Sequence, residues 1–106
     1  MTYILVDILP LKEGKTVPEA LAYFEKVKPA MERHGLKRLD APLEAHKILR
    51  GTQAANLVNL FETEDPEVSM KGMAADSEYQ ANVPLRDTIF DLENASIVLT
   101  SRYEVR

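Results

Sequence analysis

The chain opens on a run, Tyr3 to Leu9, in which large apolar side chains occupy both strand parities. Ile4, Val6 and Ile8 share one face of such a strand; Tyr3, Leu5, Asp7 and Leu9 share the other. The second face is therefore apolar but for a single carboxylate. After a loop over Pro10 to Lys15 the period lengthens, and Leu21, Phe24, Val27 or Lys28, and Met31 recur at helical spacing. Thr16-Val17-Pro18-Glu19 marks the start of this helix, with capping-box spacing and a proline in the first turn. Gly35 supplies the stop. Pro29 removes the hydrogen bond to the Glu25 carbonyl, so a kink or break is predicted there.

Leu36 to Leu49 reads as extended but interrupted at Asp40-Ala41-Pro42, which places it at a sheet edge or marks a bulge. Arg50-Gly51-Thr52-Gln53 is the turn of a hairpin, and Ala55 to Glu62 is its second arm. In that arm Val58 and Leu60 face one way; Leu57, Asn59 and Phe61 face the other. Asp65-Pro66-Glu67 opens a second helix that runs to about Ala75, weakened by Gly72. Ser77-Glu78-Tyr79-Gln80 opens a short helix before Pro84. Ala95 to Tyr103 is the last strand, with Ile97, Leu99 and Ser101 alternating against Val98, Thr100 and Arg102.

The order β-α-β-β-α-β with a right-handed split crossover predicts an α+β domain, a ferredoxin-like sandwich. Its four-stranded antiparallel sheet takes the order 4-1-3-2, with both helices on one face. On this reading the opposite face displays Leu5, Leu9, Leu57 and Phe61, together with Asp7. An open apolar face of that extent is unusual on a monomer, and a second copy of the chain is its simplest cover. A homodimer packed sheet to sheet follows.

Composition narrows the function. A length of 106 residues fits one domain, residues 1–106. The formal net charge of −4 argues against a nucleic-acid partner, which needs a concentrated basic face. Lys37, Arg38, Lys47 and Arg50 come nearest to one, but acidic residues are interleaved and a solvated surface explains them. The absence of cysteine excludes disulfides, thiolate metal sites and thiol nucleophiles. The first residues lack the pattern of a signal peptide, and no apolar stretch approaches a membrane span of ~20 residues. A cytoplasmic protein without a membrane partner is expected.

The opening Tyr3-Ile4-Leu5-Val6-Asp7, the helix end His34-Gly35, and Ser77-Glu78-Tyr79-Gln80 with Pro84-Leu85-Arg86 resemble the dimeric α-β barrel superfamily. Within it they are most similar to the uncharacterised domain-of-unknown-function family thirteen-thirty. The chain departs from that pattern at Ala41-Pro42, where members tend to carry a glycine pair. The resemblance implies two ferredoxin-like subunits packed sheet to sheet. It leaves activity open among cofactor-free monooxygenases, haem-degrading enzymes, lactone isomerases and proteins without known chemistry.

No phosphate-binding loop, dinucleotide fingerprint, His-Glu-x-x-His or nucleophile elbow is present, and no cofactor is expected. The sharpest candidate is Asp7, whose carboxylate among apolar neighbours would gain a raised pKa and serve as a general base. Asn59 on the adjacent strand is its natural partner, and Arg102 or Ser101 could reach it from the other side. A structural polar pair is the alternative. His46, on the interrupted strand, and Tyr79 and Arg86, in the matched late segment, are candidate ligand contacts at a pocket mouth. Tyr79 could equally anchor its helix to the core. His34 is placed to interact with the carbonyls of its own helix end. Two isolated histidines do not make a metal site, so none is expected. Two functions remain: binding or transforming a small organic molecule inside a dimeric barrel, or a non-catalytic self-assembling module with a packed interior. A cavity of ~300 Å³ or more separates the first from the second.

Overall fold

The computed structural model describes residues 1–104. Its elements are β1 (Tyr3–Leu9), α1 (Val17–Arg33), β2 (Lys37–Arg38), β3 (Leu43–Glu44), β4 (Leu57–Thr63), α2 (Pro66–Ala75), α3 (Ser77–Ala81), α4 (Val83–Ile89) and β5 (Ser96–Ser101). A 3₁₀ turn at Leu92–Asn94 precedes β5. The sheet is antiparallel and open, following the path β2-β4-β1-β5, with β3 also paired to β4.

Five strands stand where four were expected. The long second strand is two short pieces, because Asp40 takes φ 64° and its carboxylate accepts from the Ala41 amide, turning the chain out of the ladder. The hairpin turn is also longer than predicted. β3 pairs Leu43 with Val58 and Glu44 with Leu57, so residues 45–56 form the connection.

Thr16 caps α1 through its hydroxyl, as its spacing implied, and Asp65 caps α2 in the same way. α1 runs through Pro29 without a break. Pro29 and Glu25 both lie on the exposed side, where water can satisfy the carbonyl that the proline leaves unpaired. The short helix expected before Pro84 is followed by α4, which carries that proline in its first turn, where no N–H is missed.

The predicted facing of the sheet is reversed. Leu5, Leu9, Leu57 and Phe61 are buried in one cluster with Ala20, Tyr23, Val27 and Met31 of α1, Met73 of α2 and Ile89 of α4. The helices therefore cover the face that carries Asp7 and Asn59. Ile4, Val6, Ile8, Val58 and Leu60 form the other face and are only half-buried. Both strand parities are apolar, so alternation showed two faces without showing which one the helices take.

Candidate functional site

Register sets the centre of the site. β1 and β4 pair Leu5 with Phe61, Asp7 with Asn59 and Leu9 with Leu57, so two polar side chains lie opposite each other between two apolar rungs. On the other flank Asp7 is opposite Ile97, not Ser101 or Arg102. Asn59 is fully buried and Asp7 is 9% exposed. The Asn59 Nδ2 donates to Asp7 Oδ2 at 3.4 Å. Burial pushes the Asp7 carboxyl up to about 6, a rise held back by Asn59 and by the positive charge of Arg38.

Arg38, expected among solvated surface cations, is half-buried on the edge strand β2, where it reaches Asn59. Its Nη2 donates to Asn59 Oδ1 at 2.9 Å. Its guanidinium lies 5.4 Å from the centre of the Phe24 ring and 5.8 Å from that of Phe61. Loss of water lowers its own pKa. Strand parity from the buried Leu36 was the available signal, since residues two apart share a face.

A cavity of about 280 Å³ lies between sheet and helices, and Asp7 is part of its wall. Leu5, Leu9, Val27 and Phe61 make it apolar, while the partly exposed Met70, Leu92 and Ile97 form its rim. Tyr79 of α3 and Arg86 of α4 add polar groups to the same wall, and Arg86 Nη1 donates to the Tyr79 hydroxyl at 3.1 Å. Arg86 Nε also donates to Asp87 Oδ1 at 3.0 Å, so Asp87 and the Tyr79 hydroxyl together hold the guanidinium. The Tyr23 hydroxyl is pushed well above its ordinary pKa by burial, with Tyr79 beside it.

Four of the six predicted site residues thus share one cavity wall or its support: Asp7, Asn59, Tyr79 and Arg86. The other two are placed elsewhere. The His46 side chain is 81% exposed and lies 4.0 Å from Glu44. Arg102 is exposed just beyond the end of β5. His34 does not serve its own helix end. Its Nε2 is 2.7 Å from Asp76 Oδ2, the atom that also accepts from Arg33 at 2.6 Å. The Asp76 carboxyl, which caps α3 by accepting from the Tyr79 and Glu78 amides, is held well below the usual carboxylate range. This cluster ties α1 to the α2–α3 junction. No group of three or more metal-ligating side chains lies together among the described residues, and no helix among them is long and apolar enough to cross a membrane.

No family model matches the chain, so the likeness to family thirteen-thirty is not confirmed, and no curated relative matches it. Solved structures do. An uncharacterised NIPSNAP domain protein from Burkholderia xenovorans superposes with a TM-score of 0.70 at 17% identity, covering 97% of this chain and 95% of that one. A dimeric protein of unknown function with a ferredoxin-like fold, from Bacteroides fragilis, gives 0.57 at 14% identity over 95% and 96% of the two chains. SnoaB, a cofactor-independent oxygenase from Streptomyces nogalater, gives 0.58 at 10% identity over 98% and 93%. The fold is ferredoxin-like. At these identities the likeness is one of fold, and function has to be argued from the cavity.

Proposed function

We propose that the protein binds a small organic molecule in the cavity between sheet and helices and moves a proton on it, with Asp7 as the base. The observation that carries this reading is a lone carboxylate, its pKa raised to about 6, in the wall of a largely apolar cavity. At about 280 Å³ the cavity falls just short of the ~300 Å³ that separates the two readings, so its occupant has to be smaller than a drug-sized ligand. The suitable substrate is a carbon acid, such as a ketone or an enolisable aryl compound. The Asp7 carboxylate takes the proton from carbon, and the electron pair moves to the carbonyl oxygen as an enolate. Arg86 and Tyr79 are the groups in the same wall that can stabilise that oxygen. Where the substrate carries a double bond conjugated with the enolate, return of the proton to the far carbon of that dienolate completes an isomerisation, and no cofactor is required. In the second outcome the enolate carbon is oxidised by molecular oxygen, forming a carbon–oxygen bond to a peroxide that takes back the proton held by Asp7 as a hydroperoxide. The likeness in fold to a cofactor-independent oxygenase favours this form.

The reading extends to a homodimer, with the site whole in each subunit rather than shared between sheets. Its support is the half-buried aliphatic face of Ile4, Val6, Ile8, Val58 and Leu60, and a neighbour in fold described as dimeric. Light scattering should give twice the chain mass of 11.9 kDa.

A panel of small 1,3-dicarbonyls and hydroxyaryl ketones tests the site. Binding should shift the amide signals of Leu5 and Phe61, and solvent deuterium should enter the bound carbon acid. Asp7→Asn should keep binding and slow the exchange by about 10²-fold or more, the usual worth of a positioned base. Exchange that is indifferent to Asp7→Asn would overturn the reading, and oxygen uptake with the same dependence would select the oxygenase form.

A further inference from the structure

Arg38 is costly to hold where it is. Among the described residues its Nε is the buried side-chain polar atom without a hydrogen-bond partner, although a buried donor is normally paired. Two aromatic faces and one hydrogen bond to Asn59 hold it there. A guanidinium has only donors, so it can meet Asn59 only at the amide oxygen. That choice turns the Asn59 NH₂ toward Asp7, where a donor favours the carboxylate over the acid.

We propose that Arg38 is a positioning residue that locks the Asn59 amide in the orientation that keeps Asp7 ready to accept a proton. The inference rests on the reading of Asp7 as a base and supplies its control. Without Arg38 the amide is free to turn its oxygen to Asp7, and an amide oxygen stabilises the protonated acid instead. The other ionisable groups around the cavity are Tyr23 on α1, Tyr79 on α3 and Arg86 on α4. Glu25 of α1 bears on Arg38, and β5 presents only Ile97 to Asp7. None of them can set the Asn59 amide, because Arg38 occupies its oxygen.

The test is a ¹³C NMR titration of the Asp7 carboxyl in the full chain, with the Asn59 side-chain amide followed in the same samples. In the wild type the Asn59 NH₂ signals should track the Asp7 midpoint. Arg38→Met should raise the midpoint by roughly one pH unit, a tenfold gain in proton affinity. It should also uncouple the Asn59 NH₂ signals from it, which loss of a distant charge alone would not do. Arg38→Gln, polar but too short to reach Asn59, should behave alike and serves if Arg38→Met does not fold. Arg38→Lys, which keeps a donor, should restore most of the wild-type behaviour. An unchanged midpoint, or Asn59 signals that still track it in the shortened variants, overturns the proposal. Because the titration needs no substrate, that result stands apart from the deuterium-exchange result that would overturn Asp7 as the base.

Discussion

The two faces of the sheet are alike in hydropathy and opposite in chemistry. The open face carries Ile4, Val6, Ile8, Val58 and Leu60 as an aliphatic centre, with Glu62, Ser96 and Thr100 toward its ends, and it is half accessible. The covered face is deeper and should be the drier, but at its centre sit Asp7, Asn59 and, from the edge, Arg38. A sheet built for stability alone would have these reversed, since burying a charged or polar group is unfavourable unless it is fully paired. Asp7 is not fully paired: one long hydrogen bond serves it. On the proposed function, the open face serves association and the covered one chemistry.

A charge placed on each face separates the two most sharply. Leu57 is 1% exposed beneath the helices, and Leu57→Glu should abolish folding, because an unpaired buried carboxylate costs several kcal/mol. Leu60 is three residues along the same strand and points the other way. Leu60→Glu should leave the circular dichroism of the fold intact and yield a monomer by light scattering. Unfolding of both variants would mean that the open face is part of a subunit that cannot stand alone.

Neutralising the buried acid should have the next largest effect. The Asp7 pKa rises from 3.8 to about 6 on folding, so between those values the folded state binds the proton that the unfolded state releases. Asp7 is therefore harmless to stability below pH ~4 and progressively destabilising up to pH ~6, with the full penalty above. A shift of this size corresponds to ~3 kcal/mol. Asp7→Asn should raise stability at pH 7 by up to that amount and have no effect at pH 3, measured by urea unfolding across the range. A gain that persists at pH 3 would locate the effect in packing rather than charge.

The caps at Thr16 and Asp65 were legible because they rest on local spacing, whereas the box expected at Ser77 is displaced by one residue, since Asp76 caps that helix. The pairing of Asp7 with Asn59 followed from the expected strand order, and Tyr79 and Arg86 from the resemblance. What was lost rests on long-range choices. Leu5 and Val6 are equally suited to a core, so the side taken by α1 could not be read from their alternation. Arg38 resembles its neighbour Lys37 in charge, and only its parity with Leu36 hints that it turns inward. In α2 the apolar Val68 is exposed, while its polar neighbour Ser69 is buried in a hydroxyl pair with Thr63 at 2.7 Å. Gly72 looked like a weakness in that helix for want of a view of His34.

A smaller effect tests how the helical layer is held over the covered face. A Cβ on Gly72 would lie 2.3 Å from His34 Nδ1, and the ring cannot swing aside without leaving Asp76. Gly72→Ala should lower stability by about 1–2 kcal/mol, overpacking outweighing the better helix propensity of alanine. In a His34→Ala background the same change should be neutral or favourable, and a double-mutant cycle reads the coupling. Additive effects would remove His34 as the reason for the glycine.

The smallest change should come from Pro29, on the outer side of the same layer. Its ring interrupts one hydrogen bond of α1, and both Pro29 and Glu25 face solvent, so water takes up the freed carbonyl. Alanine would restore the bond and the intrinsic propensity, though it also gives the unfolded chain more freedom, which offsets part of the gain. Pro29→Ala should therefore raise stability by ~1 kcal/mol, a few degrees in Tm. The inner side of this turn carries Val27 and Met31, which help to line the cavity. If Tm falls instead while the Leu60→Glu monomer stays folded, the proline is shaping the covered face, and the local backbone around Val27 and Met31 is set for the cavity rather than for the helix.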